Sequence, residues 1–126
     1  MIKYKMLFFC MLLILSCNKN KNVTINLELV NTYAPNVQNG EKIFNKACIT
    51  CHLYGTGGAT LLTNTKEWDF LLKKKEKKEI YLNVLNGFIG KSGPMPAKGG
   101  CQNCSERDLL DAIEYILSIN KLTIVH

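Results

Sequence analysis

The residues best equipped for chemistry are Cys48-Ile49-Thr50-Cys51-His52. Cys-x-x-Cys-His is the spacing at which a chain bonds a c-type haem. Two thiols three positions apart share one turn of helix, and each can add to one porphyrin vinyl group to give a thioether. The histidine that follows is then placed to ligate the iron, a role it commonly takes in haem proteins. The same thiols could instead be half of a zinc site or a redox dithiol. A second pair, Cys101 and Cys104, keeps a four-thiolate zinc module in view. Separation argues against that module, because Cys51 and Cys101 bracket 49 residues, whereas a zinc ribbon brackets about 15–20.

Further along, Phe88-Ile89-Gly90-Lys91-Ser92-Gly93-Pro94-Met95-Pro96 sets one methionine between two prolines. Methionine is usually a gap-filler in a core. Held between rings of fixed backbone angle, Met95 is instead presented at a set orientation, as a second axial ligand has to be. Cys101-Gln102-Asn103-Cys104 follows at once. In an exported chain the first expectation for this pair is a disulfide, with a catalytic dithiol as the other reading.

Export is what the start of the chain suggests. Residues 1–16 have basic Lys3 and Lys5, an apolar run from Met6 to Leu15, and then Ser16. The run is too short for a bilayer span and has the proportions of a signal peptide. Ile14-Leu15-Ser16-Cys17 resembles a lipobox, which makes Cys17 the lipidated mature N-terminus, with Asn18 after it favouring the outer membrane. Residues 17–35 then read as a lipidated tether and 36–126 as one domain. Beyond Cys17 the side chains comprise 14 basic and 10 acidic groups, a net +4. That suits an acidic partner or an anionic surface and is too little for nucleic acid.

The elements that must position these residues follow from periodicity. A helix is expected over Val37 to Ala47, capped by Asn36, with Gly40 where another backbone passes closely and Phe44 one turn on. After His52 comes a glycine-rich loop. A helix over Glu67 to Lys73, capped by Thr65, turns Trp68, Leu71 and Leu72 inward. The run Lys73 to Lys78 is a solvated junction. A further helix covers Lys78 to Asn86 and stops at Gly87. Ser105 caps the last helix, whose apolar face is Leu109, Leu110, Ile113, Ile116 and Leu117 and which ends near Ser118. Val23 to Val30 shows only weak strand-like alternation within the tether, and His126 closes a short tail.

With the haem motif, the Pro-Met-Pro loop and a C-terminal amphipathic helix in this order, residues 36 to 119 resemble a class I cytochrome c. More narrowly, Trp68, Tyr81 to Gly87, Met95 to Cys104 and Ala112 to Ile116 are similar to the cytochrome c5 type. The resemblance implies an all-α fold of four to five short helices around one covalently bound haem c, with the first and last helices crossing at Gly40. Phe44 would meet the face carrying Ile113 and the Tyr115 ring. It also implies thioethers from Cys48 and Cys51, axial His52 and Met95, a Cys101–Cys104 disulfide, and an approach of Trp68 to a propionate. Asp69 to Leu72 departs from the basic residue common after that tryptophan. The implied function is one-electron transfer in the cell envelope. The protein would be monomeric, membrane-tethered on the periplasmic side and served by redox proteins of a respiratory chain. A labile Met95 would make it a haem-based ligand sensor or peroxidase instead.

Overall fold

The computed structural model describes residues 27–122. The expected signal peptide, the Cys17 lipid site and His126 lie outside them. The order is α1 (Leu27–Thr32), α2 (Val37–Ile43), a π-helical turn (Phe44–Cys48), α3 (Ile49–His52), a 3₁₀ turn (Thr56–Gly58), α4 (Thr65–Lys74), α5 (Lys77–Asn86), β1 (Phe88–Gly90), β2 (Gly93–Met95), a second 3₁₀ turn (Ala97–Gly100) and α6 (Glu106–Ile119). The architecture is all-α with one short hairpin, as the resemblance implies.

The crossing of α2 over α6 organises the rest. A Cβ at Gly40 would stand 2.1 Å from the Asp111 carbonyl oxygen and 2.9 Å from the Tyr115 Cβ. No side chain fits there, so glycine is dictated by contact with a neighbouring backbone. One turn on, Phe44 is buried, its ring centroid 5.4 Å from that of Tyr115. Phe44 clusters with Cys48, Leu62 and Ile116, whereas Ile113 belongs to the larger core with Ile43, Tyr81, Leu85 and Leu109.

A polar clasp beside the crossing was not anticipated. Asp111 is only 2% exposed. It accepts the Asn36 N–H at 2.7 Å and the Asn39 side-chain amide at 2.7 Å, so a carboxylate from α6 satisfies a backbone donor that the start of α2 leaves open and a side-chain amide one turn on. Asn36 caps α2 as expected, accepting the Asn39 N–H at 3.1 Å. Ser105 and Asp108 form a reciprocal capping box on α6. The Asp108 carboxyl is held below its ordinary range, first by the Asn39 amide and then by Ser105.

Three expectations are corrected. The tether does not run to residue 35, because Leu27–Thr32 is helical and Val30 is fully buried in the main core. Six residues are too few for a stable isolated helix; α1 forms because burying Val30 contributes about 2 kcal/mol. Asn64, rather than Thr65, caps α4, its side chain accepting the Glu67 N–H at 3.3 Å. The methionine loop is a hairpin, with Phe88 opposite Met95 and Gly90 opposite Gly93.

Replacing Gly40 by Ala tests the crossing. Alanine gains about 1 kcal/mol in helix propensity, while forcing a methyl into filled space costs about 3 kcal/mol. Chemical denaturation of Gly40→Ala should therefore show a net loss of about 2 kcal/mol, the difference of those terms.

Candidate haem-binding site

The motif occupies the end of the helix that begins at α2. Before it, the Ile49 N–H reaches back five residues to the Phe44 carbonyl, the signature of a π turn. Within this widened turn Cys48 is buried, whereas Cys51 and His52 on α3 are half-exposed. Both thiols are free. Burial, and next the neighbouring Cys51, push the Cys48 thiol up to about 11. The other Cys-x-x-Cys pair behaves differently, since Cys101 and Cys104 are joined in a disulfide and are both buried. Two thiols are thereby withdrawn from any four-thiolate zinc site. Among the described residues no group of three or more His, Cys, Asp or Glu side chains is gathered to hold a metal ion.

His52 is oriented by the chain that follows it. Its Nδ1 lies 2.8 Å from the Thr60 carbonyl oxygen. A carbonyl oxygen only accepts, so Nδ1 carries the proton and Nε2 keeps its lone pair for a metal. The His52 carbonyl in turn accepts the Leu62 N–H at 2.5 Å. Trp68 packs beside the imidazole, the ring centroids 5.8 Å apart. Its indole N–H donates to the Leu61 carbonyl at 2.9 Å. That bond ties the Trp68 ring to the loop after His52.

Met95 is half-buried at the end of β2, and its segment is fastened on both flanks of the motif. On one side, a Cβ at Gly93 would stand 2.7 Å from the Gly57 carbonyl oxygen, and one at Gly58 would stand 2.8 Å from Ser92. On the other, a Cβ at Gly99 would approach the Ala47 carbonyl to 3.1 Å, immediately before Cys48. The disulfide segment is tied in by Lys98, which donates to the Cys104 carbonyl at 3.0 Å. The structure thus brings together the segments bearing Cys48, Cys51, His52 and Met95.

A family model described as cytochrome C oxidase, cbb3-type, subunit III matches residues 35–116. The chain belongs to that family. Among curated relatives it is similar to cytochrome c5 of Ectopseudomonas mendocina, 31% identical over 81 residues, covering 61% of this chain and 85% of that one. It is also similar to cytochrome c-555 of Chlorobaculum tepidum, 25% identical over 91 residues, covering 72% and 83%. The cytochrome c-555 of Chlorobaculum thiosulfatiphilum is 27% identical over 82 residues, covering 65% and 94%.

The protein is a monohaem cytochrome c, an electron carrier with covalently bound haem c. The residues present fit that group: two free thiols one turn apart, an imidazole with an open Nε2, and an apolar cluster of Phe44, Leu62, Ile116 and Trp68 around Cys48. Sequence reasoning missed Thr60, Leu61 and Leu62, whose backbone groups do the orienting and carry no side-chain signal.

Trp68→Phe keeps a ring beside His52 and removes the donor to Leu61. Stability should fall by about 1 kcal/mol, measured by denaturant titration of the holoprotein.

Proposed function

We propose that this cytochrome shuttles single electrons through an iron held between His52 and Met95. The observation that carries the reading is the double fastening of the Met95 segment, at Gly57 after His52 and at Ala47 before Cys48. A thioether sulfur is a weak ligand, and a segment fixed at both ends keeps it in place without large rearrangement. Bound haem supplies the reversible Fe(II)/Fe(III) couple, and a methionine ligand favours the ferrous side. Cys48 and Cys51 would hold the group irreversibly, the Thr60 carbonyl holds the His52 proton at Nδ1, and Leu62, Phe44 and Ile116, clustered with Cys48, would exclude water from the site.

Partners are redox proteins of a respiratory chain, met transiently by a monomer. Leu53, Tyr54 and Leu61 after the motif, and Phe88 and Ile89 before Met95, are exposed and give an apolar docking rim. The lysine run contributes less than its composition suggests. Lys73 pairs with Asp69 at 2.7 Å, Lys75 pairs with Glu79, and Lys74 lies 4.3 Å over the Phe70 ring.

We place the protein on the periplasmic side of the cell envelope as a lipoprotein, with signal peptide 1–16, lipid on Cys17, and the outer membrane as its anchor. The lipobox-like Leu15-Ser16-Cys17 supports this. Among the described residues no helix is long and apolar enough to cross a membrane. With α1 docked, the link from Cys17 to Leu27 is residues 18–26, a reach of at most about 36 Å.

Absorption spectra of the oxidised and reduced exported protein test the ligand set. Low-spin haem with the weak near-infrared band of ferric methionine ligation, lost in Met95→Ala, is expected. A five-coordinate, high-spin parent spectrum would favour ligand sensing or peroxide chemistry instead.

A further inference from the structure

Asn120 lies beyond the family-matched segment and just past the end of α6, yet it is only 5% exposed. Its side-chain amide donates to the Leu62 carbonyl at 2.7 Å and to the Ile116 carbonyl at 2.8 Å. Its carbonyl oxygen accepts from the Thr65 hydroxyl at 2.8 Å. Both amide hydrogens are thus committed, and a hydroxyl fixes which way the amide points.

What these bonds hold is the loop that orients His52. Leu62 receives the amide on its carbonyl and gives its N–H to the His52 carbonyl. Thr60, two residues earlier, accepts the Nδ1 proton, and Leu61 between them accepts the Trp68 indole N–H. Thr65, at the start of α4, is the far end of the same loop. Three successive carbonyls are therefore engaged by His52, Trp68 and Asn120. Of these three, the bond from Asn120 is the one that ties the loop to the end of the C-terminal helix.

We infer that Asn120 is a positioning residue for the iron's histidine ligand, setting the strength of the His52–Thr60 hydrogen bond from the C-terminal end of the chain. Hydrogen bonding at the outer nitrogen of a metal-bound imidazole raises its basicity. A more basic imidazole stabilises the ferric state, so loosening the loop should favour the ferrous one. This rests on His52 ligating the iron as proposed above.

The test uses the full-length holoprotein and three variants. Asn120→Leu removes all three side-chain bonds, Thr65→Val removes only the hydroxyl that fixes the amide, and Asn39→Ala removes the amide that donates to Asp108 and Asp111, neither of them in the loop. Redox titration should show the ferrous-to-ferric ratio at the parent midpoint rising about three- to tenfold in Asn120→Leu, a tenfold change being about 59 mV for one electron. Thr65→Val should move the same way by less, and Asn39→Ala should leave the midpoint unchanged while lowering stability. NMR should show faster exchange of the His52 Nδ1 proton in Asn120→Leu and Thr65→Val only. Should Asn120→Leu not fold, Thr65→Val decides the question through the same two readings. Unchanged midpoint and exchange in the folded loop variants, or an equal shift in Asn39→Ala, would overturn the inference. A parent spectrum without histidine-ligated low-spin haem would overturn the site assignment itself, and the inference with it.

Discussion

The structure depends on one close approach, that of Gly40 to the Asp111 carbonyl. With the two backbones in contact, Phe44 meets the Tyr115 ring and Cys48 enters the cluster formed with Ile116 and Leu62. The Asp111 carboxylate, on the same residue, reaches Asn36 and Asn39. A wider crossing would loosen all of these together. Packed interiors respond to sub-ångström displacement because dispersion and burial fall off steeply once neighbours separate.

From that crossing the site is assembled by continuity and by loops. The helix that supplies Gly40 runs through a π turn directly into the motif, so the thiols inherit their placement from the crossing. His52 is then fixed by the Thr60 carbonyl and the Leu62 N–H. Met95 is carried on a hairpin whose Gly93 passes close to Gly57 and whose following turn passes close to Ala47. The disulfide and Lys98 stiffen the return to α6. A carrier that gains and loses one electron benefits from ligands that stay put, because ligand motion would add to the barrier of every transfer.

Much of this was readable in the sequence where side-chain identity is the signal. Spacing singles out Cys48, Cys51 and His52 as the proposed haem residues and the flanking prolines single out Met95, while Gly40 stands out mid-helix, where glycine is unfavourable. Ser105 and Asn36 announced their helix starts for the same reason. The unread parts are backbone or tertiary. Thr60 to Leu62 act through carbonyls, and the β1–β2 pairing is too short to show alternation. Helix α1 exists only because Val30 finds a core to enter. Asp111 and Asn120 are polar residues whose burial is decided by partners 75 and 58 positions away. That Leu61 takes the Trp68 N–H likewise carries no signal in the sequence.

The central claim is that iron sits between an oriented His52 and a fastened Met95, unchanged as the electron comes and goes. Iron-edge X-ray absorption of the oxidised and reduced protein tests it most directly. The account predicts one sulfur and five nitrogen scatterers in both states, with nearly the same distances. A sulfur shell absent in either state, replaced by oxygen or by a vacant position, would contradict it.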